Sequence, residues 1–317
     1  MANLHDERGR RRAAAPGGLL LTSAALAPAA DPQAEWSHHC SACGKCCNSP
    51  PQLSVAELFH HQETFFGCLT VQRLKRPPSG DVTLRAGFDA LAAQLWHRLP
   101  AASNDTDDVL LATRGFDLGL SERCPALNSE QRCALHDSGK PAICRVVPLD
   151  ALSPDSAQHW VLHSRRADAH YLGADCIQPG VRAGFALITR RLQVVDEGAR
   201  AALTEHRRSL ALERQTWGDA VFQLLHADLF ASPALLDRLP SDGFMTLSLV
   251  PVLMVLASQS SAARARCLEY LIAQERLAER LLDQARQQAQ GDAASVRQLT
   301  AFARSNARFA LQLKASP

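Results

Sequence analysis

The sequence has no apolar run long enough to span a membrane and no strong excess of charge. Its longest apolar run, from Phe244 to Ala257, is interrupted by Pro251 and predicts a buried helix or helix pair. The formal net charge is only +2, and a basic surface typical of nucleic-acid binding is therefore not expected. We predict neither a transmembrane segment nor a nucleic-acid partner.

The composition is otherwise ordinary for a globular protein, with 46% hydrophobic and 21% charged residues among 317. The N-terminus is less ordinary, since Arg8 to Arg12 precede an Ala-rich stretch that ends near Ala30. This pattern resembles an export signal of the twin-arginine type. Pro16 and Gly17 interrupt the stretch, which favours a disordered extension instead. We therefore expect a cytoplasmic protein, with export as the alternative.

Local patterns predict an α+β fold. Ser54 and Glu57 form a capping box at the start of one helix, and Asp81 is placed to cap a second. Short apolar runs predict strands at residues 109–111, 143–149 and 160–162, and the pattern beyond Gly180 is helical. We predict a disordered or signal-like extension at residues 1–35 and a loop-rich cysteine-cluster domain with short strands and helices at 36–180. An all-α helical domain is predicted at 181–317.

Cysteine is concentrated in two parts of the chain. Of the ten cysteines, four lie within residues 40–47 with the spacing Cys-x-x-Cys-x-x-Cys-Cys, and Cys124, Cys133 and Cys144 follow in a second stretch. Packing alone does not explain thiols so close together, because structural free cysteines are scattered as small core residues. Thiolates bind soft metals, and two-residue gaps let several sulfurs converge on one centre. The sequence therefore predicts a metal-binding protein.

Three chemistries compete for these thiols. An iron–sulfur cluster is favoured, because three cysteines at two-residue gaps match the local form that holds three corners of a cubane, and Cys124-Pro125 is typical of ferredoxin ligands. A tetrahedral zinc ion needs only four thiols and leaves the others unexplained. Disulfide bonds are the third alternative, although they are typical of short secreted domains.

The predicted metal ligands are eight cysteines: Cys40, Cys43, Cys46, Cys47, Cys124, Cys133, Cys144 and Cys176. For Cys176, which lies in a predicted loop, an ordinary buried cysteine is the alternative. His38, His39 and His136 lie beside cysteines and are alternative fourth ligands. Cys68 and Cys267 lie on apolar stripes and are predicted to be structural.

Residues 40–47, Cys124-Pro125-Ala126-Leu127 and Cys144-Arg145-x-x-Pro148 together resemble the CxxCxxCC (YkgJ-like) family. These bacterial proteins are described as zinc- or iron-chelating, and the resemblance covers about residues 36 to 150. It implies a metal-binding domain. We also expect a partner, either an unknown protein or a redox partner.

A more distant resemblance is to flagellin lysine-N-methylase, which has the same cysteine pattern. This resemblance implies a methyltransferase that uses S-adenosylmethionine. A structural zinc domain with an interaction role is the remaining alternative, so the sequence leaves enzymatic activity open.

Overall fold

The computed structural model describes residues 34–42, 44, 46–74, 82–99, 108–119, 123–136, 139–167, 175–239, 243–288 and 293–315. The predicted N-terminal extension up to residue 33, the predicted ligand Cys43 and the predicted cap Asp81 lie outside these ranges. All structural statements below concern the described residues.

Up to residue 180 the chain alternates short strands with helices, and much of the cysteine-bearing part is loop. The elements are β1 (Trp36–His38), α1 (Val55–His60), β2 (Gly67–Leu74), α2 (Val82–Leu95), β3 (His97–Arg98), β4 (Asp108–Gly115), α3 (Ala142–Val146), a 3-10 turn (Asp155–Ala157), α4 (Gln158–Ala167) and β5 (Ile177–Pro179).

The chain beyond residue 180 is mostly helical. Its elements are β6 (Ala186–Arg190), β7 (Gln193–Val194), α5 (Glu197–Glu213), α6 (Asp219–Leu225), α7 (Pro233–Leu236), β8 (Met245–Ser248), α8 (Val250–Ala257), α9 (Ser261–Gln288) and α10 (Ala293–Ala315). Wider π-helical turns at Arg214–Gly218 and His226–Phe230 extend α5 and α6.

The strands form two antiparallel four-stranded sheets, with the orders β5-β1-β6-β7 and β3-β4-β2-β8. Together with the helical C-terminal part, these sheets confirm the α+β fold class. β1 pairs with β6, and β2 pairs with β8. Backbone hydrogen bonds therefore join the stretches before and after residue 180.

Several local predictions were wrong about the type of element. Residues 142–146 and 158–167 form α3 and α4 rather than strands, because a short apolar run has no period that separates a strand from a buried helix. Residues 245–248 form a strand beside β2 instead of a helix. Pairing with a distant strand decides such a segment, and a local pattern does not report it.

The sheet of β2 and β4 is buried on both faces, and its two faces belong to different parts of the core. Along β4, Val109 and Leu111 pack with the C-terminal helices, whereas Leu110 and Ala112 pack with α2, α3 and α4. This alternation follows from the two-residue period of a strand. The sheet thus separates two apolar clusters. No helix among the described residues is long and apolar enough to cross a membrane.

Candidate metal centre

The predicted cysteine ligands come together around one cavity. We call it the cysteine cavity, and the thiols that line it are those of Cys40, Cys46, Cys47, Cys124, Cys133, Cys144 and Cys176. These are all of the predicted ligands that the structure describes. Cys124 packs against the apolar cluster of the C-terminal helices, while Cys46 and Cys176 pack against the other cluster. The cavity therefore lies between the two halves of the core.

Gly44 allows the first cysteine loop to approach the second. Its φ of +70° lies in the left-handed region, which glycine adopts without steric cost. A Cβ atom at this position would lie 2.4 Å from the carbonyl oxygen of Gln131. The backbone N–H of Cys124 also donates to the carbonyl of Cys47 at 2.8 Å. The two cysteine stretches are therefore held together by backbone contacts.

The second cysteine loop is fixed by turns rather than by a sheet. The Asn128 side-chain oxygen accepts the N–H groups of Glu130 at 3.0 Å and Arg132 at 2.9 Å. An isolated bridge pairs Leu127 with Cys133. Asparagine commonly stabilises turns through such side-chain bonds. The turn brings Cys133 back towards Cys124.

Cys144 lies on α3, and the start of this helix is held by α1. The backbone N–H of Ala142 donates to Glu57 Oε1 at 2.7 Å, while Glu57 Oε2 accepts the N–H of Ser54 at 2.8 Å. The predicted capping box is confirmed, and its glutamate also holds a second helix. Arg145 forms an ion pair with Glu205 of α5 at 2.9 Å. Three elements thus fix the position of Cys144.

The remaining predicted residues divide between the cavity and the rest of the molecule. Cys176, which precedes β5, lines the cavity, and its carbonyl accepts the N–H of His39 at 3.0 Å. His38 and His136 also line the cavity. His39 instead packs against Phe185, with the two rings 5.5 Å apart.

The predicted structural cysteines, Cys68 and Cys267, are buried elsewhere, in β2 and α9. Burial raises their thiol pKa values to about 12 and about 11, respectively. Neither of them lines the cysteine cavity, which agrees with their predicted structural role.

Sequence reasoning missed His206, a cavity-lining residue of α5. It lies far along the chain from the cysteine motifs, on the same buried stripe as Leu203 and Leu210. A single histidine on an apolar stripe gives no signal that distinguishes a site residue from a core residue. The packing of α5 against α3 supplies that information.

A hydrogen bond and nearby positive charges favour the thiolate form of Cys46. A hydrogen bond from Cys47 lowers the pKa of Cys46 to about 7, and the positive charges of Lys140 and Arg165 act in the same direction. Burial raises the pKa of Cys124 to about 11 and also raises that of Cys144. Metal binding must therefore displace protons from buried thiols.

The donor set fits a soft metal. Thiolates and neutral imidazoles are the ligands of zinc and of iron–sulfur clusters, and burial keeps His38 and His206 neutral by lowering both pKa values to about 4. The cavity volume is about 130 Å³, whereas one water needs roughly 10–15 Å³ on the same measure. There is room for more than a single ion.

The candidate ligands line one cavity, but their donor atoms are too far apart to bind a single ion together. As they stand, no three His, Cys, Asp or Glu side chains within the described ranges are close enough to hold one metal ion. Side chains and the loops that hold them would have to close on a bound metal, and binding and ordering of such sites are commonly coupled. Comparison of the chain with protein-family models, curated proteins and solved structures finds no match.

Proposed function

We propose that this protein binds a metal centre in the cysteine cavity, with an iron–sulfur cluster favoured over zinc. The observation that supports this proposal is that the cavity is lined by the cysteines predicted to be ligands and not by those predicted to be structural. All seven described members of the predicted set line it, although they span residues 40 to 176, and neither Cys68 nor Cys267 does. Chance burial of cysteine as a small apolar residue gives no reason for such a division.

The spacing of the first cysteine stretch favours a cluster. The two-residue gaps between Cys40, Cys43 and Cys46 match the local form that holds three corners of a cubane. A zinc ion and a cluster both take four ligands, so the remaining cavity thiols would serve a second centre or a redox pair. A cluster implies a partner that donates or accepts electrons. We propose such a redox protein as the partner.

Purification without oxygen tests the proposal. The protein should be brown, absorb near about 400 nm as iron–sulfur charge transfer does, and contain iron and acid-labile sulfide. Electron paramagnetic resonance of the reduced sample should then give a cluster signal. Colourless protein with stoichiometric zinc would contradict the cluster and support the structural zinc alternative.

The methyltransferase alternative depends on the distant resemblance to flagellin lysine-N-methylase. Titration calorimetry of the metal-loaded protein with S-adenosylmethionine tests it. Heat of binding with a defined stoichiometry would support this function, and no binding in the presence of an intact centre would argue against it.

A further inference from the structure

The imidazole of His206 is buried at the wall of the cysteine cavity, and one of its nitrogens has no protein partner. The residue is 6% exposed, and no described group forms a hydrogen bond with Nδ1. A buried polar atom without a partner is unfavourable, and native structures rarely keep one without a reason. A ligand in the cavity would supply that reason.

Two other buried histidines have a polar protein group close to Nε2. His61 Nε2 lies 2.9 Å from the carbonyl oxygen of Gly139, and His97 Nε2 lies 3.0 Å from the carboxylate of Asp219. Neither of them lines the cysteine cavity. His206 differs from these two histidines because it lines the cavity that the cysteine thiols also line.

The side chains on both sides of His206 contact other elements. Glu205 pairs with Arg145 of α3 at 2.9 Å. On the other side, Arg207 donates to the carbonyls of Ala151 at 3.1 Å and Ser153 at 2.6 Å. α5 thus places the imidazole at the cavity from a helix with several contacts to its surroundings, which favours a preorganised donor.

Glu57 connects the surroundings of His206 with those of Cys144. Its carboxylate lies close enough to act on the imidazole electrostatically, and it also accepts the N–H of Ala142 at the start of the helix that bears Cys144. The same glutamate therefore contacts the helix of a predicted sulfur ligand and acts on the histidine.

We propose that His206 is a nitrogen ligand of the metal centre, which gives the site a mixed set of cysteine and histidine ligands. This inference depends on the proposed metal-binding function. Relative to an all-thiolate set, one neutral imidazole removes one negative charge from the site. Histidine in place of cysteine raises the reduction potential of an iron–sulfur centre, so the site would be easier to reduce.

Hyperfine spectroscopy tests the ligand directly. The full-length protein is loaded without oxygen with iron and sulfide, or with Co²⁺ if the native metal is zinc, after growth with ¹⁵N-histidine. The wild-type centre should show the coupling of a directly bound imidazole nitrogen. His206→Ala should remove this coupling and weaken Co²⁺ binding at least about tenfold, whereas His38→Ala and His136→Ala should keep the coupling.

His206→Cys provides a variant that retains a ligand. It should keep near wild-type metal content, lose the nitrogen coupling and shift the midpoint potential of an iron centre downwards. A loaded wild-type protein without nitrogen coupling, or coupling that persists in His206→Ala, would overturn this inference alone. Wild-type protein that takes up neither iron nor Co²⁺ would overturn the metal-binding function, and the inference with it.

Discussion

The sheet that contains β2 and β4 and the cysteine cavity are stabilised by different interactions. β4 is buried along its whole length, and each of its residues pairs with β2, from Asp108 opposite Leu74 to Gly115 opposite Gly67. The cavity is enclosed mainly by loops. Its backbone groups are bonded through turns, through the side chain of Asn128 and through the carboxylate of Glu57.

This difference separates a part of the protein that needs no ligand from the part in which we propose that a metal binds. Apolar contacts and ladder hydrogen bonds stabilise the sheet without any bound group. The cavity instead buries thiols and an imidazole nitrogen, and a metal would compensate for their burial. We expect substitutions in the two regions to affect different quantities, and the predictions below test that expectation.

The largest expected effect is the loss of metal from a cavity variant. Cys144→Ser replaces a thiol that the start of α3 holds in place, and a hydroxyl is a poor ligand for a soft metal. We expect the iron or zinc content to fall to background. Cys267→Ser, which changes a buried cysteine of α9 outside the cavity, should keep its metal. Equal metal content in both variants would show that the cavity is not the binding site.

The second prediction concerns the sheet. Leu69 of β2 is fully buried and packs in the cluster of the C-terminal helices. Leu69→Ala should lower the free energy of unfolding by about 2–5 kcal/mol through lost apolar contact and a residual cavity, as measured by urea denaturation. The metal content of the folded variant should stay at the wild-type level. Loss of metal from folded protein would mean that the two regions are coupled.

The sequence predicts features that depend only on residues close together in the chain. The capping box of Ser54 and Glu57 is local, and the structure confirms it. The helix at Val82–Leu95 is likewise encoded in its own apolar stripe. The concentration of cysteine likewise predicts chain segments that line the cavity.

What the sequence does not predict depends on distant partners. The bond from Ala142 to Glu57 joins residues far apart in the chain, and no local pattern reports it. Strand β8 is defined by its pairing with β2. His206 enters the cavity only because α5 packs against α3. Each of these features is a tertiary contact, which overrides or supplements local preference.

The third prediction concerns the pH dependence of stability away from the cavity. Burial raises the pKa of Glu213 to about 7, although Trp217 donates to its carboxylate at 2.9 Å. The folded state therefore binds this proton more tightly than the unfolded state does. The stability that the proton provides is complete below about pH 4.5 and is lost as the pH rises through about 7.

Glu213→Gln should remove this dependence, because an amide does not titrate in this range. One pKa unit corresponds to about 1.4 kcal/mol, so the wild-type protein should lose up to about 3 kcal/mol more than the variant between pH 4.5 and 8. Urea denaturation at several pH values measures the difference. Glu205→Gln, which removes an exposed carboxylate of the same helix, is the control for the loss of one negative charge. A Glu213→Gln profile parallel to the wild type would contradict the assignment.

The smallest expected effect lies at α1, where the two regions meet. Ser54 Oγ accepts the N–H of Glu57 at 3.2 Å, and Ser54→Ala should lower the free energy of unfolding by about 1 kcal/mol, as the loss of an N-cap does. Metal affinity should not change, since Glu57 still accepts from Ala142 in that variant. Glu57→Ala keeps the bond to Ser54 Oγ, because the backbone of residue 57 donates it, but removes the carboxylate that accepts the N–H groups of Ser54 and of Ala142 at the start of α3. Weaker metal binding in Glu57→Ala alone would show that this carboxylate links the apolar scaffold to the cavity, whereas equal affinities in both variants would show that α3 holds Cys144 without it.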